Sequence, residues 1–227
     1  MNPDNSKTLP DQFLYQGLGF FGAITASVTH EFNNILGTID QLSGLLEDLT
    51  VSSGQEKAIS EDQINAITGR ISLQTERGLT LVKQLNTFAH TSDHKATEFN
   101  VYNALENLQA LMKRLVSTQK KDLILTGPGE EILVNTNAFF LLQALFLIIS
   151  RILPLVVSDS AIEMTLCEQN DNAVITIKAR LNGALIELPD DRYLGQLISG
   201  LQGNSKERFD NELYSLELRV PRSDASV

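Results

Sequence analysis

The chain has 227 residues, of which 42% are hydrophobic, and carries a formal net charge of −10. So large an apolar fraction supports a packed core and argues against intrinsic disorder. The acidic balance, with a pI of about 4.8, argues against a nucleic-acid backbone as partner, because that needs clustered Lys and Arg. The single cysteine, Cys167, excludes an intrachain disulfide and fits a reducing, cytoplasmic setting.

Residues 1–16 are expected to form a flexible N-terminal tail; the stretch through Gln12 is polar and lacks the basic-then-apolar pattern of a signal segment. From about Gly17 to Leu49 apolar residues recur at helical spacing: Ile24, Val28, Ile35, Ile39, Leu42, Leu46 and Leu49. This is a coiled-coil-like seam, broken at Val51-Ser-Ser-Gly54. A second helix is predicted from about Glu56 to His90, its apolar face marked by Ile64, Ile67, Ile71, Leu81, Leu85 and Phe88. Together, residues 17–92 form an αα-hairpin. A lone hairpin cannot bury two wide apolar stripes, so the expectation is a homodimer in which two hairpins close a four-helix bundle.

After a polar linker, Thr91 to Ala96, the pattern changes. Over residues 98–223 the predicted elements are a helix (Val101–Val116), a strand (Leu123–Thr126) closed by Gly127-Pro-Gly129, a short strand (Glu131–Val134) and a strongly apolar helix (Asn137–Leu153). A strand pair (Ile162–Cys167 and Ala173–Ala179) turning at Asn170-Asp-Asn172, a short helix (Leu194–Leu201) ended by Gly203, and a half-buried strand (Tyr214–Val220) follow. The order implies an α/β sandwich, a sheet with helices on one face. The longest apolar run, Ala138 to Val157, is interrupted by Gln143, Ser150, Arg151 and Pro154, and reads as a buried helix, not a membrane span.

The chemistry-bearing segment is Ala26-Ser-Val-Thr-His30-Glu31-Phe-Asn-Asn34-Ile-Leu-Gly37. With Val28 and Ile35 in the seam, His30 falls on the flank of the bundle, within reach of a partner. A neutral imidazole is a competent nucleophile near neutral pH. An adjacent carboxylate, Glu31, could accept or orient its proton. Asn34, one turn on from His30, shares its face and could position a water against a phosphoryl group. On pattern alone, a His-Glu pair on a helix flank is more often solvated surface.

This segment resembles the phosphoacceptor box of bacterial sensor histidine kinases, which often reads as small residues followed by His-Glu-Phe-Asn-Asn and an aliphatic pair, as His30 to Leu36 does here. The segment from Arg77 to Ala89, with its Gln84-Leu85 and Phe88-Ala89 endings, resembles the second dimerisation helix of the same family. The resemblance implies that His30 is the phosphorylated residue, Glu31 its acid/base neighbour and Asn34 a phosphatase-assisting residue.

In that family an ATP-binding α/β sandwich follows, and residues 98–223 keep its element order while departing from its motifs. The helix Gln143 to Ile152 resembles the one that normally bears two asparagines, the second a magnesium ligand. Here those positions are Leu147 and Arg151, and neither supplies the oxygen donor that magnesium requires. Where an Asp-x-Gly-x-Gly motif would contact adenine, the sequence is Arg180-Leu-Asn-Gly-Ala184. Gly195, Gly200 and Gly203 are scattered and make no tight phosphate-cradling run. The resemblance therefore implies a histidine phosphotransferase with a degenerate ATPase domain. It would exchange phosphate between His30 and the aspartate of response-regulator receiver domains, with no cofactor in this chain, the magnesium being supplied by the receiver, and with neither nucleic acid nor membrane as partner. Two alternatives stand beside it: a non-catalytic scaffold regulating a kinase or receiver, and an atypical sensor kinase.

Other residues have structural readings. His90, Asp93 and His94 suggest solvated linker groups and no metal set. Cys167 reads as a buried small hydrophobe in a strand. Asp190-Asp191-Arg192 reads as a surface turn or helix start. Asn135 and Asn137 precede the apolar helix as capping candidates.

Overall fold

The computed structural model describes residues 9–52, 60–128, 131–182 and 192–223. The hairpin consists of α1 (Leu9–Ser52) and α2 (Glu61–His90). Helix α1 begins within the expected tail, with Pro10 in its first turn, where a missing N–H leaves no hydrogen bond unmade. Helix α2 starts later than its apolar spacing suggests, because Ser60 and Gln63 form a capping box: Gln63 N donates to Ser60 Oγ and Ser60 N donates to Gln63 Oε1, each at 3.2 Å. Residues 53–59, with the rest of the expected break and the first residues of the expected helix, lie outside the described residues.

The predicted seam faces inward. Ile24, Val28, Ile35 and Leu42 are buried on α1, as are Ile67, Leu81 and Phe88 on α2. Ile64 is the exception: it is exposed.

The α/β domain opens with β1 (Thr97–Asn100), which pairs antiparallel with β3 (Leu133–Thr136). Asn100 caps α3 (Val101–Ser117), its Oδ1 accepting from Tyr102 N at 2.8 Å. The main sheet has the order β2-β4-β5-β7-β6, with β2 (Asp122–Thr126), β4 (Ala161–Gln169), β5 (Asn172–Arg180), β6 (Asn204–Asp210) and β7 (Leu213–Pro221). β2 runs parallel to β4 and all other neighbours are antiparallel. Helix α4 (Ala138–Ile152) is capped by Asn137, whose Oδ1 accepts from Phe140 N at 2.8 Å. Helix α5 (Arg192–Gly200) precedes Gly203, where a Cβ would come within 2.5 Å of the Arg219 carbonyl oxygen.

One face of the sheet is buried under the helices. Ile162, Met164 and Leu166 of β4 and Tyr214, Leu216, Leu218 and Val220 of β7 are all buried, while the residues between them are partly or fully exposed. That alternation places Cys167 on the outer face, exposed, and corrects its reading as a buried hydrophobe. The apolar run is a core helix: the stretch Ala138–Leu155 is long and apolar enough to cross a membrane, but Leu141, Leu142, Ala144, Leu145, Ile148 and Ile149 are buried inside the domain. Both hairpins turn through two residues of positive φ, Asn170-Asp171 (φ 50° and 57°) and Asn211-Glu212 (φ 43° and 73°), the pattern of type I′ turns.

Hairpin and α/β domain share one hydrophobic core. Its joint is aromatic: Phe20 of α1 lies 5.2 Å from Phe88 of α2, 5.3 Å from Phe139 and 4.9 Å from Phe146, both on α4. Such pairs add roughly 0.5–1.5 kcal/mol each beyond their burial, so the domain is seated along the hairpin by a specific contact.

Candidate active site

Helix α1 carries His30 about three turns beyond Phe20 of the aromatic joint and exposes it on the helix flank, as its spacing from the seam suggests. Glu31, the next residue, turns toward the α/β domain. Its Oε1 accepts from Arg77 Nη2 of α2 at 3.1 Å, and its Oε2 lies 3.8 Å from Arg114 Nη1 of α3. The other guanidinium nitrogen of Arg114, Nη2, sits 3.0 Å from His30 Nε2. A guanidinium has only donors, so Nε2 accepts in this contact and the ring proton of a neutral imidazole resides on Nδ1.

Asn34 lies one turn on, exposed on the same side of α1 as His30. Its side chain is open to solvent, while its carbonyl accepts from Thr38 Oγ1 at 2.9 Å. The expected trio of His30, Glu31 and Asn34 therefore shares one stretch of α1, but Glu31 is engaged by two arginines rather than by the imidazole.

Beside the trio runs a groove of about 660 Å³ between α1, α2 and α3. Its walls include Val28, Ile35, Leu73 and Leu81, with Arg77, Lys113 and Arg114 at the polar rim. A second hollow, of about 610 Å³, is lined by His30 itself together with Phe21, Gly22, Thr25, Ala26, Thr29 and Asn33. His30 is thus exposed in the wall of one hollow, with the groove lined by its neighbour Glu31 close by, and is accessible to a protein partner.

The sequence alone does not single out Arg114. It is 84 positions from His30, on a helix whose pattern marks only its apolar face, and the one local signal is the basic pair Lys113-Arg114 near the helix end. Arg77 begins the segment that resembles the second dimerisation helix, without a role assigned to it.

In the α/β domain, Leu147 is partly buried against the core, and Arg151 sits in the last turn of α4. Gln143, one turn before Leu147, is buried with neither side-chain polar atom hydrogen-bonded. Arg180 ends β5 in an ion pair with Glu212 at 3.1 Å, and Asn182 N donates to Leu155 O at 2.7 Å. The remainder of the segment aligned with the adenine motif, from Gly183, lies outside the described residues, as do Gly129, Asp190 and Asp191. Arg192 is the first residue of α5. His90 Nδ1 lies 2.7 Å from Asp93 Oδ2 on the surface, and among the described residues no three His, Cys, Asp or Glu side chains gather in a metal-binding group.

No family model and no curated protein matches this sequence. Solved structures do. The histidine kinase ThkA, in complex with the response regulator protein TrrA, is similar over 99% of this chain and 70% of the matched chain, at 14% identity and a TM-score of 0.50. The chain has the fold of a histidine kinase. The isolated catalytic domain of ThkA aligns with 57% of this chain and 98% of its own, at 14% identity and a TM-score of 0.50. Full-length ShkA, in complex with AMPPNP, aligns with 83% of this chain and 47% of its own, at 12% identity and a TM-score of 0.50. The expected order of a helical hairpin followed by an ATPase-like α/β sandwich is therefore present, and at these identities the likeness is one of fold.

Proposed function

We propose that this chain is a histidine phosphotransferase of two-component signalling, in which His30 exchanges a phosphoryl group with the aspartate of a receiver domain. The observation that carries this reading is the placement of His30: exposed on the hairpin of a histidine-kinase fold, in the wall of a surface hollow, with Glu31 and Asn34 on the same stretch of helix. Nε2 attacks the phosphorus of the acyl phosphate, the P–O bond breaks with its electrons on the aspartate, and Nδ1 keeps its proton. Such a transfer needs positioning and charge stabilisation more than covalent help from the protein. The receiver supplies the magnesium. Asn34, exposed beside His30, is placed to orient a water for the hydrolytic variant of the reaction. That ThkA occurs with a response regulator in its solved complex supports this class of partner.

The chain does this without ATP. At the α4 positions where the family's asparagines stand, Leu147 offers no oxygen donor and Arg151 offers a cation, and neither suits magnesium. The α/β domain then serves as a brace and docking surface, and the protein acts in the cytoplasm.

It does so as a homodimer. Leu14, Leu18, Phe21 and Leu36 are all exposed, and at 100° per residue they fall within an arc of about 60° on α1. Ile64, Leu79 and Val82 form a similar exposed strip on α2. Both strips lie beside the inward-facing seam, where a second hairpin would cover them.

Incubation with a phosphorylated receiver domain and, separately, with labelled ATP and magnesium tests this function. Label on wild-type protein from the receiver, lost in His30→Gln, is the expected result. Label from ATP would instead make the protein a kinase, and label from neither source would favour a scaffold.

A further inference from the structure

We infer that Arg114, contributed by the α/β domain, is the positioning residue that takes up the phosphoryl group on His30. This rests on His30 being the phosphoacceptor, and it gives the degenerate domain a direct part at the transfer site.

Three observations converge on this arginine. Its Nη2 lies 3.0 Å from His30 Nε2, the atom whose lone pair faces it. Its Nη1 lies 3.8 Å from Glu31, which Arg77 holds from the other side at 3.1 Å. The guanidinium is therefore tethered, already oriented toward His30 and only 29% exposed, so its charge is less screened than that of a free surface arginine. Finally, the groove beside it gathers three cations, Arg77, Lys113 and Arg114, against two carboxylates, Glu31 and Glu76, on a chain whose net charge is −10. A local excess of positive charge on so acidic a protein suits a dianionic group.

The resting contact occupies the nucleophilic lone pair, so Arg114 must yield as phosphorus approaches. The new N–P bond forms at Nε2, the donor's P–O bond breaks onto its carboxylate, and the guanidinium passes from the ring nitrogen to the oxygens of the transferred phosphoryl group. A planar fork of N–H donors matches two of those oxygens at once. The arginine thus guards the nitrogen when His30 is free and holds the product when it is phosphorylated.

The test uses the full chain and a small donor, phosphoramidate, whose P–N bond breaks with release of ammonia as His30 is phosphorylated. Phosphorus NMR then follows the second ionisation of the phosphohistidine with pH in wild type, Arg114→Gln and Arg114→Lys, with His30→Gln identifying the His30 signal. A nearby cation favours the dianion, so the ionisation should lie about one pH unit lower in wild type than in Arg114→Gln, with Arg114→Lys between them. Identical titrations in all three proteins would overturn the role of Arg114 and leave His30 as acceptor. Label taken by Arg114→Gln and refused by wild type would make Arg114 only a cap on the lone pair and would also overturn it. No His30 label in any protein would overturn the acceptor reading itself.

Discussion

Glu31 Oε1 and Arg77 Nη2 meet at 3.1 Å across the hairpin, 46 positions apart in the chain. The carboxylate next to His30 is thus fixed by the second helix, and through Arg114 it also touches the α/β domain. Replacing Glu31 with Gln keeps the shape and removes the charge that gathers both arginines. Phosphoryl acceptance by His30 should fall about 100-fold, within the range of acid/base and positioning effects. Folding stability should change by less than about 1 kcal/mol, since the pair is partly exposed. Rapid-quench transfer assays beside a denaturant melt separate the two effects; an unchanged transfer rate would contradict the role given to Glu31.

Asn34 is exposed beside His30 and its amide is free to meet a partner. With a phosphorylated receiver, Asn34→Ala should retain His30 labelling and lose any acceleration of phosphate release. Equal release by wild type and variant would remove Asn34 from the hydrolytic step.

The aromatic joint makes a stability prediction. Phe20 is 2% exposed and touches Phe88, Phe139 and Phe146. Phe20→Ala should cost about 3–5 kcal/mol, and the hairpin and α/β domain should unfold together, because they share that core. Two separated transitions in the wild-type melt would contradict a common core.

The exposed strips on the hairpin predict dimer loss. Leu18 is 59% exposed and Leu79 67% exposed. The double change Leu18→Glu, Leu79→Glu places charges in an interface that symmetry repeats twice. Light scattering should show wild type as a dimer and the variant as a monomer with unchanged helical content. A dimer that survives the double change would move the interface elsewhere.

Tyr214 supplies a pH dependence. Burial raises its hydroxyl pKa well above the usual 10.0, and Glu207, to which it is hydrogen-bonded, adds to the rise. The phenol stays protonated in the folded chain and ionises on unfolding, so stability falls as pH rises past 10. Lys121, whose pKa burial lowers from 10.5, acts below that value with the opposite slope. Above pH 10.5, wild type should therefore lose stability more steeply than Tyr214→Phe, by about 1.4 kcal/mol per pH unit. Parallel curves in urea melts would contradict this.

Much of this architecture is legible in the sequence because its elements have strong periods. The seam from Ile24 to Leu49 and the alternation from Tyr214 to Val220 announce a helix and a half-buried strand without help from tertiary structure. Strands β1 and β6 escape notice for physical reasons. Asn204–Asp210 is an edge strand, exposed along nearly its whole length, with charges where alternation would show, a composition that discourages edge-to-edge pairing. Thr97–Asn100 is four residues long and is defined only by its partner β3. The site divides in the same way. His30, Glu31 and Asn34 are local and carry a recognisable pattern, whereas Arg114 reaches the site only because α3 packs against α1 and α2, a contact between distant segments that no local pattern encodes.

In the proposed function, phosphate reaches His30 from a receiver and not from ATP. The most direct measurement offers the purified protein a labelled phospho-receiver and, in parallel, labelled ATP with magnesium, with His30→Gln as control. Label from the receiver alone, absent in His30→Gln, is the predicted result; label from ATP on His30 would contradict it.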